Sequence, residues 1–393
     1  MSQQLISRSP DLAKLKEDGY EVEVRANHLV IRNVPYVNAN REVKRGLLVS
    51  TLTLAGQVTT KPDTHVARFA GEHPCDHRGR PLTKIVNGSS CEKLGDGLVV
   101  DHSFSSKPAE GYRDYHHKMT TYADMLSSHA ATIDPTATAK TFQVIEAEDP
   151  DSVFEYMDTA SSRAGIYAVS QKLELAKVAI VGLGGTGSYV LDLVAKTPVK
   201  EIHLFDGDTY LQHNAFRSPG AASLAELRAR PKKVHYFRNR YSPMRRNIVT
   251  HDFHIDATNA DCLEGMDLVF ICVDRGDTKL PIIEKLEALG IPFIDVGMGI
   301  ELVDGKLNGI VRVTTSTANT RGHVRDKKRI GLSGGNADDI YAKNIQIADL
   351  NALNAALAVV KWKKLSGFYL DLDNEHHCTY TLDGNMLLNE DKS

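Results

Sequence analysis

Residues Lys177–Arg217 read KVAIVGLGGTGSYVLDLVAKTPVKEIHLFDGDTYLQHNAFR. The first five, Lys177–Val181, are a short apolar run without polar alternation, which predicts a strand buried on both faces. The run stops at Gly182, and further glycines follow at Gly184, Gly185 and Gly187. A helical period then takes over through Tyr189, Val190, Leu193 and Val194. A second apolar run, Glu201–Phe205, ends on Asp206. Strand, glycine turn, helix, strand is half of a nucleotide-binding α/β sheet. Side chains in the turn would hold phosphates away from the backbone N–H groups and from the helix N-terminus. Asp206 stands about 20 residues past the last glycine, where a dinucleotide enzyme holds its ribose hydroxyls. The stretch alone is therefore compatible with hydride transfer and with ATP chemistry.

The whole chain has 393 residues, which predicts two domains. With 42% hydrophobic and 25% charged residues it has the composition of an ordinary globular protein. A formal net charge of −3 gives no sign of a nucleic-acid or anionic-membrane partner. A local basic run, Arg228–Lys233, continues through Arg238, Arg240, Arg245 and Arg246. It suits an acidic partner or a triphosphate as well as it suits a solvated helix face. The five cysteines, Cys75, Cys91, Cys262, Cys272 and Cys378, include no CxxC pair and suggest neither a disulfide framework nor a zinc ribbon. The opening MSQQLISRSP has no signal-peptide pattern, and no apolar run approaches the roughly 20 residues that span a bilayer. A reducing, cytoplasmic setting is the expectation.

The pattern along the chain divides it near residue 145. Leu12–Lys16 predicts a short helix, and EVEVRANHLVIRNVPYV alternates at period two about Ala26–Asn27, as a hairpin does. Gly46–Leu54, His65–Phe69 and Leu98–Phe104 predict further strands, Tyr115–His129 a helix, and Ala131–Lys140 (ATIDPTATAK) a linker. Residues 1–145 are thus expected to form a β-rich α+β accessory domain. Within it His65, His73, Cys75 and His77 could bind zinc or simply serve turns and packing; the residues leave this open. Residues 146–393 are expected to form the α/β domain. After one or two helices in 151–176, strands are predicted at Ile248–Phe253, Asp267–Val273, Pro292–Val296 and Lys306–Thr314, with helices at Leu224–Arg240 (broken at Pro231), Lys279–Leu289 and Ile345–Lys364. Thr315–Asn336 reads as a polar, mobile crossing loop, with strands near Tyr369 and at Thr379–Thr381 after it.

Five motifs now fall in order: GLGGTGS, FDGD at Phe205–Asp208, HNAFR at His213–Arg217, PKKV at Pro231–Val234, and DLVFICVD ending on Asp274. Their order and spacing over roughly residues 160–370 resemble the ThiF/MoeB/E1 superfamily of ubiquitin-activating-type adenylyltransferases. The resemblance implies a Rossmann-like adenylation domain with a mostly parallel sheet, using ATP and Mg²⁺. It implies adenylation of the C-terminal carboxylate of a ubiquitin-like or sulfur-carrier-like protein, with release of pyrophosphate. Adenylation needs cations and a metal-binding acid where phosphate charge builds up. It needs no general base, because a carboxylate is already ionised at neutral pH.

By this similarity Gly182, Gly184, Gly185 and Gly187 would bind the nucleotide and Asp206 would hold the ribose. Asn214, Arg217 and Lys233 (in preference to Lys232) would meet the phosphates, Asp274 would hold Mg²⁺, and Asp208 would be an acid close to the metal. Each residue alone has a plainer reading: Asp206 and Asp274 as strand-end caps, Arg217 as a surface ion pair. Arg163 would reach across a homodimer into the partner's site, although it lies closer to the glycine turn than family members place this arginine. Family members that form a thioester place a cysteine in the loop beyond the Asp274 strand, and Thr315–Asn336 contains none. The chain is therefore expected to stop at the acyl-adenylate or pass the acyl group to another protein, with Cys378 or a cysteine of the first domain as the alternatives. The implied partners are a ubiquitin-like substrate and a conjugating enzyme or acceptor protein. A NAD-binding oxidoreductase explains the glycines and Asp206 but leaves HNAFR, PKKV and Asp274 without work; a non-catalytic E1-like scaffold is the third reading.

Overall fold

The computed structural model describes residues 5–6, 8–144, 152–156, 158–163, 166–332 and 345–392. The chain divides into two compact units: Met1–Ile145 with Asp158–Tyr167, and Glu146–Met157 with Ala168–Ser393.

In the first unit the strands are β1 (Glu21–Arg25), β2 (His28–Val37), β3 (Val43–Thr51), β4 (Leu54–Ala55), β5 (Val58–Thr59), β6 (Val66–Ala70), β7 (Val86–Gly95) and β8 (Leu98–Ser105). All but the small β4–β5 hairpin join one antiparallel sheet of order β1-β2-β3-β6-β8-β7. Ala26 and Asn27 both carry positive φ, 49° and 60°, which is the turn that matches the strands' twist in a two-residue hairpin. The helix Tyr115–Ile133 is started by Asp114, whose side chain accepts from the His117 N–H at 2.7 Å. Its buried residues Tyr115, Met119, Tyr122, Ala123, Leu126 and Ala130 recur at helical spacing, and most join Leu12, Leu15, Leu48 and Phe69 in one core.

Two expectations fail in this unit. Ala131–Lys140 is not a free linker: its first three residues end the helix, Ala137 and Ala139 are buried, and Lys140 bridges to Tyr20. Small side chains suit a linker and a close contact alike, and here they allow close packing. The strand β7 was also not foreseen. It is an edge strand exposed along nearly its whole length, so its sequence carries no alternation to detect.

The second unit is built on β9 (Lys177–Val181), β10 (Glu201–Phe205), β11 (Ile248–His251), β12 (Leu268–Ile271), β13 (Phe293–Val303), β14 (Lys306–Ser316), β15 (Glu375–Thr381) and β16 (Met386–Lys392). They form one sheet of order β11-β10-β9-β12-β13-β14-β15-β16, parallel from β11 to β13 and antiparallel beyond. Val178 and Ile180 pack on one face with Val190 and Val194 of the helix Gly185–Val194 and with Ala355 and Trp362 of the helix Ala348–Leu365. Ala179 and Val181 point the other way, against Ile282 and Leu286 of the helix Gly276–Leu289. Burial on both faces explains the unbroken apolar run in the sequence. Chain order reverses between β9 and β12, and ligands of open α/β sheets bind outside the carboxyl ends of the strands at such a reversal.

Thr315–Asn336 is less open than expected. Thr315 and Ser316 finish β14 and are buried, Gly322–Asp326 is a short helix, and Val324 and Ile330 enter the core beside Ile283; residues 333–336 lie outside the described ones. Two apolar residues were enough to seat a segment whose average composition is polar. The strand expected near Tyr369 is instead a bend with Tyr369, Leu370 and Leu372 exposed, and β16 was missed because Met386, Leu387 and Leu388 are consecutive and all exposed.

Along β15 burial pushes the His377 imidazole down to about 4. The folded state thus favours neutral His377, and its contribution is complete above pH about 6.5 and lost as pH falls from there toward 4. Urea unfolding across that range should show stability declining with acid, and His377→Gln should flatten the decline; an unchanged slope in the variant refutes the assignment.

Candidate functional site

The glycine turn closes β9. Gly182 has φ +90°, and a side chain there would press on the backbone of Cys272, whose N–H donates to the Val181 carbonyl at 2.7 Å. A methyl on Gly187 would overlap the Gly182 carbonyl oxygen, and one on Gly185 would overlap the Asn351 amide. These three glycines are demanded by the fold itself. Gly184 differs: it is the N-cap of the helix Gly185–Val194, and a methyl there would meet no atom within 4 Å. Open space thus faces bare backbone at the positive end of a ten-residue helix.

Asp206, buried at 5% exposure, joins this turn to the next. Its Oδ2 accepts from the Leu183 N–H at 2.7 Å, and its Oδ1 accepts from the Asp208 N–H at 2.8 Å. Lys233, the first residue of the helix Lys233–Tyr241, reaches back with Nζ 3.4 Å from Asp206 Oδ2 and 2.6 Å from Asp208 Oδ2. Lys232 donates instead to the Gly207 carbonyl at 2.5 Å. Partial burial pulls the Asp208 carboxyl up, but the hydrogen bond and charge of Lys233 outweigh it and hold the group below the ordinary carboxylate range. His254 Nε2 stands 3.4 Å from the other oxygen of Asp208.

Asn214 is buried and accepts from the Leu211 N–H at 2.8 Å, which opens the short helix Gln212–Ala215. The Arg217 N–H donates to the Asn214 carbonyl at 3.1 Å. Arg217 Nε is buried and has no hydrogen-bond partner among the described residues, an open demand for an acceptor. Phe216 beside it is 79% exposed. Asp274 is exposed and lies two residues past Cys272, the residue that backs the glycine turn. The side chain of Arg163 lies outside the described residues, so its expected place in a partner's site is neither supported nor opposed.

One residue of the site was missed. Asn351, 1% exposed, accepts from Thr186 Oγ1 at 3.0 Å and donates through Nδ2 to the Arg217 carbonyl at 3.4 Å. The signal was present: Asn351 and Asn354 stand three apart, at helical spacing with the apolar Leu350, Ala355, Ala358 and Trp362, and amides so placed require partners.

The histidine and cysteine group of the first unit does not converge. His65 Nε2 pairs with Ser105 Oγ at 3.1 Å, His73 meets the His102 ring edge-on, the Cys75 thiol donates to the His73 carbonyl, and His77 lies along His129. Among the described residues no group of three or more His, Cys, Asp or Glu could hold a metal. Mg²⁺ bound with a nucleotide needs no such group, because it takes one or two carboxylates and completes its shell with phosphate and water.

Residues 159–329 match the profile of the ThiF family. This part of the chain is a ThiF-family domain. The preceding residues 10–159 match a second profile, described as a domain of unknown function, DUF6791. The ThiF domain is similar to ubiquitin-like modifier-activating enzyme 5 of Culex quinquefasciatus, 26% identical over 38% of this chain and 41% of that one. It is also similar to the same enzyme of Gallus gallus, 29% identical over 39% and 41%. The chain therefore spans about two fifths of the length of the curated relatives it matches. Among solved structures, E. coli MccB with MccA-N7isoASN aligns over 60% of this chain and 70% of that one at 18% identity and a TM-score of 0.47; MccB with ATP aligns over the same shares at 18% and 0.44.

Removing the Lys233 ammonium would leave the buried Asp206 carboxylate without its cation. Lys233→Met should destabilise the fold by about 3 kcal/mol, the scale for breaking a buried ion pair. Asp206→Asn added to it should restore part of the loss. Strictly additive losses in chemical denaturation would remove the coupling.

Proposed function

We propose that the chain uses ATP to adenylate a carboxylate, and that this carboxylate is the C-terminus of a ubiquitin-like or sulfur-carrier-like protein. The observation that carries the reading is Gly184 opening onto free space at a helix N-terminus, with the buried, unpartnered Nε of Arg217 on a turn linked to the same glycine loop. Bare backbone and a guanidinium N–H without an acceptor among the described residues are what an anionic phosphate chain requires. Nothing in hydride transfer explains Arg217, Lys233 and Asn214, so the oxidoreductase reading is set aside. The relatives named above support the choice of substrate class.

In the reaction the substrate carboxylate, ionised without help, attacks the α-phosphorus, and the bond to the β-phosphate breaks with pyrophosphate leaving. The carboxylate of Asp206 has oxygens oriented by two backbone N–H groups and is suited to accept from ribose hydroxyls. Arg217 offsets charge on the phosphates. Lys233 rests on Asp208 and can transfer its hydrogen bond to a phosphate oxygen, since Asp208 is half exposed and has His254 beside it. Asp274, an exposed carboxylate just past the carboxyl end of β12, is the residue that would hold Mg²⁺, with Asp208, the partner of Lys233, as the acid close to the metal. The ion supplies charge neutralisation across the phosphates.

The chain is proposed to stop at the acyl-adenylate or to pass the acyl group to another protein. Burial raises the thiols of Cys262 and Cys272, and pushes that of Cys378 up to about 11, so the thiolate form is disfavoured at all three. The five cysteines are unpaired, which suits the reducing conditions of the cytoplasm. The first unit is proposed to recruit the protein substrate, its acceptor or a conjugating enzyme.

ATP–pyrophosphate exchange with Mg²⁺ and candidate ubiquitin-like proteins tests the reading. Exchange should depend on the protein substrate and fall at least about 100-fold in Arg217→Ala and Asp274→Ala, the scale for losing one group that stabilises developing charge. Full turnover in both variants, or no exchange with any such protein, would sink it. The homodimer is tested separately. If Arg163 acts in the partner's site, Arg163→Ala and Arg217→Ala should each be inactive alone and regain part of the activity when mixed; no recovery in a mixed dimer would place Arg163 elsewhere.

A further inference from the structure

Asn351 is a full amide on the buried face of the helix Ala348–Leu365, at 1% exposure, and such a group costs free energy unless its polar atoms are used. Both are. Its oxygen accepts from Thr186, in the first turn of the helix Gly185–Val194, and its nitrogen donates to the carbonyl of Arg217. Gly185 has no room for a side chain because the amide occupies that space. The contact therefore ties together the two ends of the stretch that carries the proposed phosphate contacts, using a residue 134 positions after Arg217. Among the described residues the backbone of Arg217 is otherwise held on one side only, by its N–H on the Asn214 carbonyl.

We propose that Asn351 is a positioning residue for the nucleotide: it fixes the spacing between the glycine turn and Arg217, so that backbone N–H groups and guanidinium engage one phosphate chain together. This rests on the adenylation reading. A residue that sets the distance between two binding elements acts on ligand affinity more than on the stability of either element. Gly185 supplies the means of separating these effects, because the amide's bulk and its hydrogen bonds can be removed independently.

The test is Mg·ATP affinity of the full chain by titration calorimetry, with thermal unfolding of the same samples. Asn351→Ala should weaken Mg·ATP about five- to tenfold, the scale of one or two lost hydrogen bonds, with the KM for ATP in exchange rising in parallel. Asn351→Asp keeps the acceptor for Thr186 but loses the donor to Arg217, and should weaken binding at least as much. Gly185→Ala should unfold at lower temperature because its methyl meets the amide. Gly185→Ala with Asn351→Ala should regain that stability and still bind ATP weakly. Folded Asn351→Ala or Asn351→Asp protein with wild-type affinity overturns the proposal and leaves adenylation standing, as does a double variant that recovers affinity along with stability. A wild-type chain that binds no Mg·ATP overturns both.

Discussion

A single buried carboxylate organises the carboxyl ends of the parallel strands. Asp206 follows β10, and each of its oxygens accepts one backbone N–H from a turn, Leu183 after β9 and Asp208 after β10. A carboxylate this deeply buried persists because charged hydrogen bonds and a cation replace its water, and Lys233 is that cation. The rest follows from where this leaves the neighbours. Lys233 is drawn in at the start of its helix, Asp208 is held partly outward, and the glycine turn is pinned with Gly184 facing space. Replacing the cluster with apolar groups could keep the sheet but would lose the relation between the turns.

Much of this was legible in the sequence where burial is two-sided. Lys177–Val181 and Glu201–Phe205 occupy the strands anticipated for them, because a strand covered on both faces is largely apolar, and Gly182 follows the first where the chain turns. Pro231 correctly separated the helix Leu224–Ala229 from Lys233–Tyr241. What stayed hidden were contacts between distant parts. No local pattern says that Gly185 is small for the sake of Asn351, or that Lys233 spends its charge on Asp208. Those facts belong to the packing of a late helix on an early turn. Edge strands β7 and β16 were hidden for a different reason: with little to bury they carry no periodic signature.

The glycines show how a motif mixes two kinds of requirement. Gly182, Gly185 and Gly187 would be needed in this turn whatever it bound, since each is confined by protein atoms. Gly184 alone is unconfined by the protein. A glycine pattern is therefore mainly a statement about how closely a helix approaches a strand, and only its least crowded member speaks of a ligand. The weight of the functional reading falls accordingly on Gly184 and Arg217, with Asp206, Lys233 and the ThiF-family match beside them, not on the glycine count.

The antiparallel end of the large sheet has a consequence of another kind. Among the described residues β16 closes the sheet with no strand on its far side, and Met386, Leu387 and Leu388 stand exposed at its start, while Glu390, Asp391 and Lys392 occupy its end. Charge guards only half of that margin. At high concentration the unguarded half offers a template for strand addition, so colloidal behaviour of the purified chain will be governed there, and a solubilising lysine at Leu388 would cost the interior nothing.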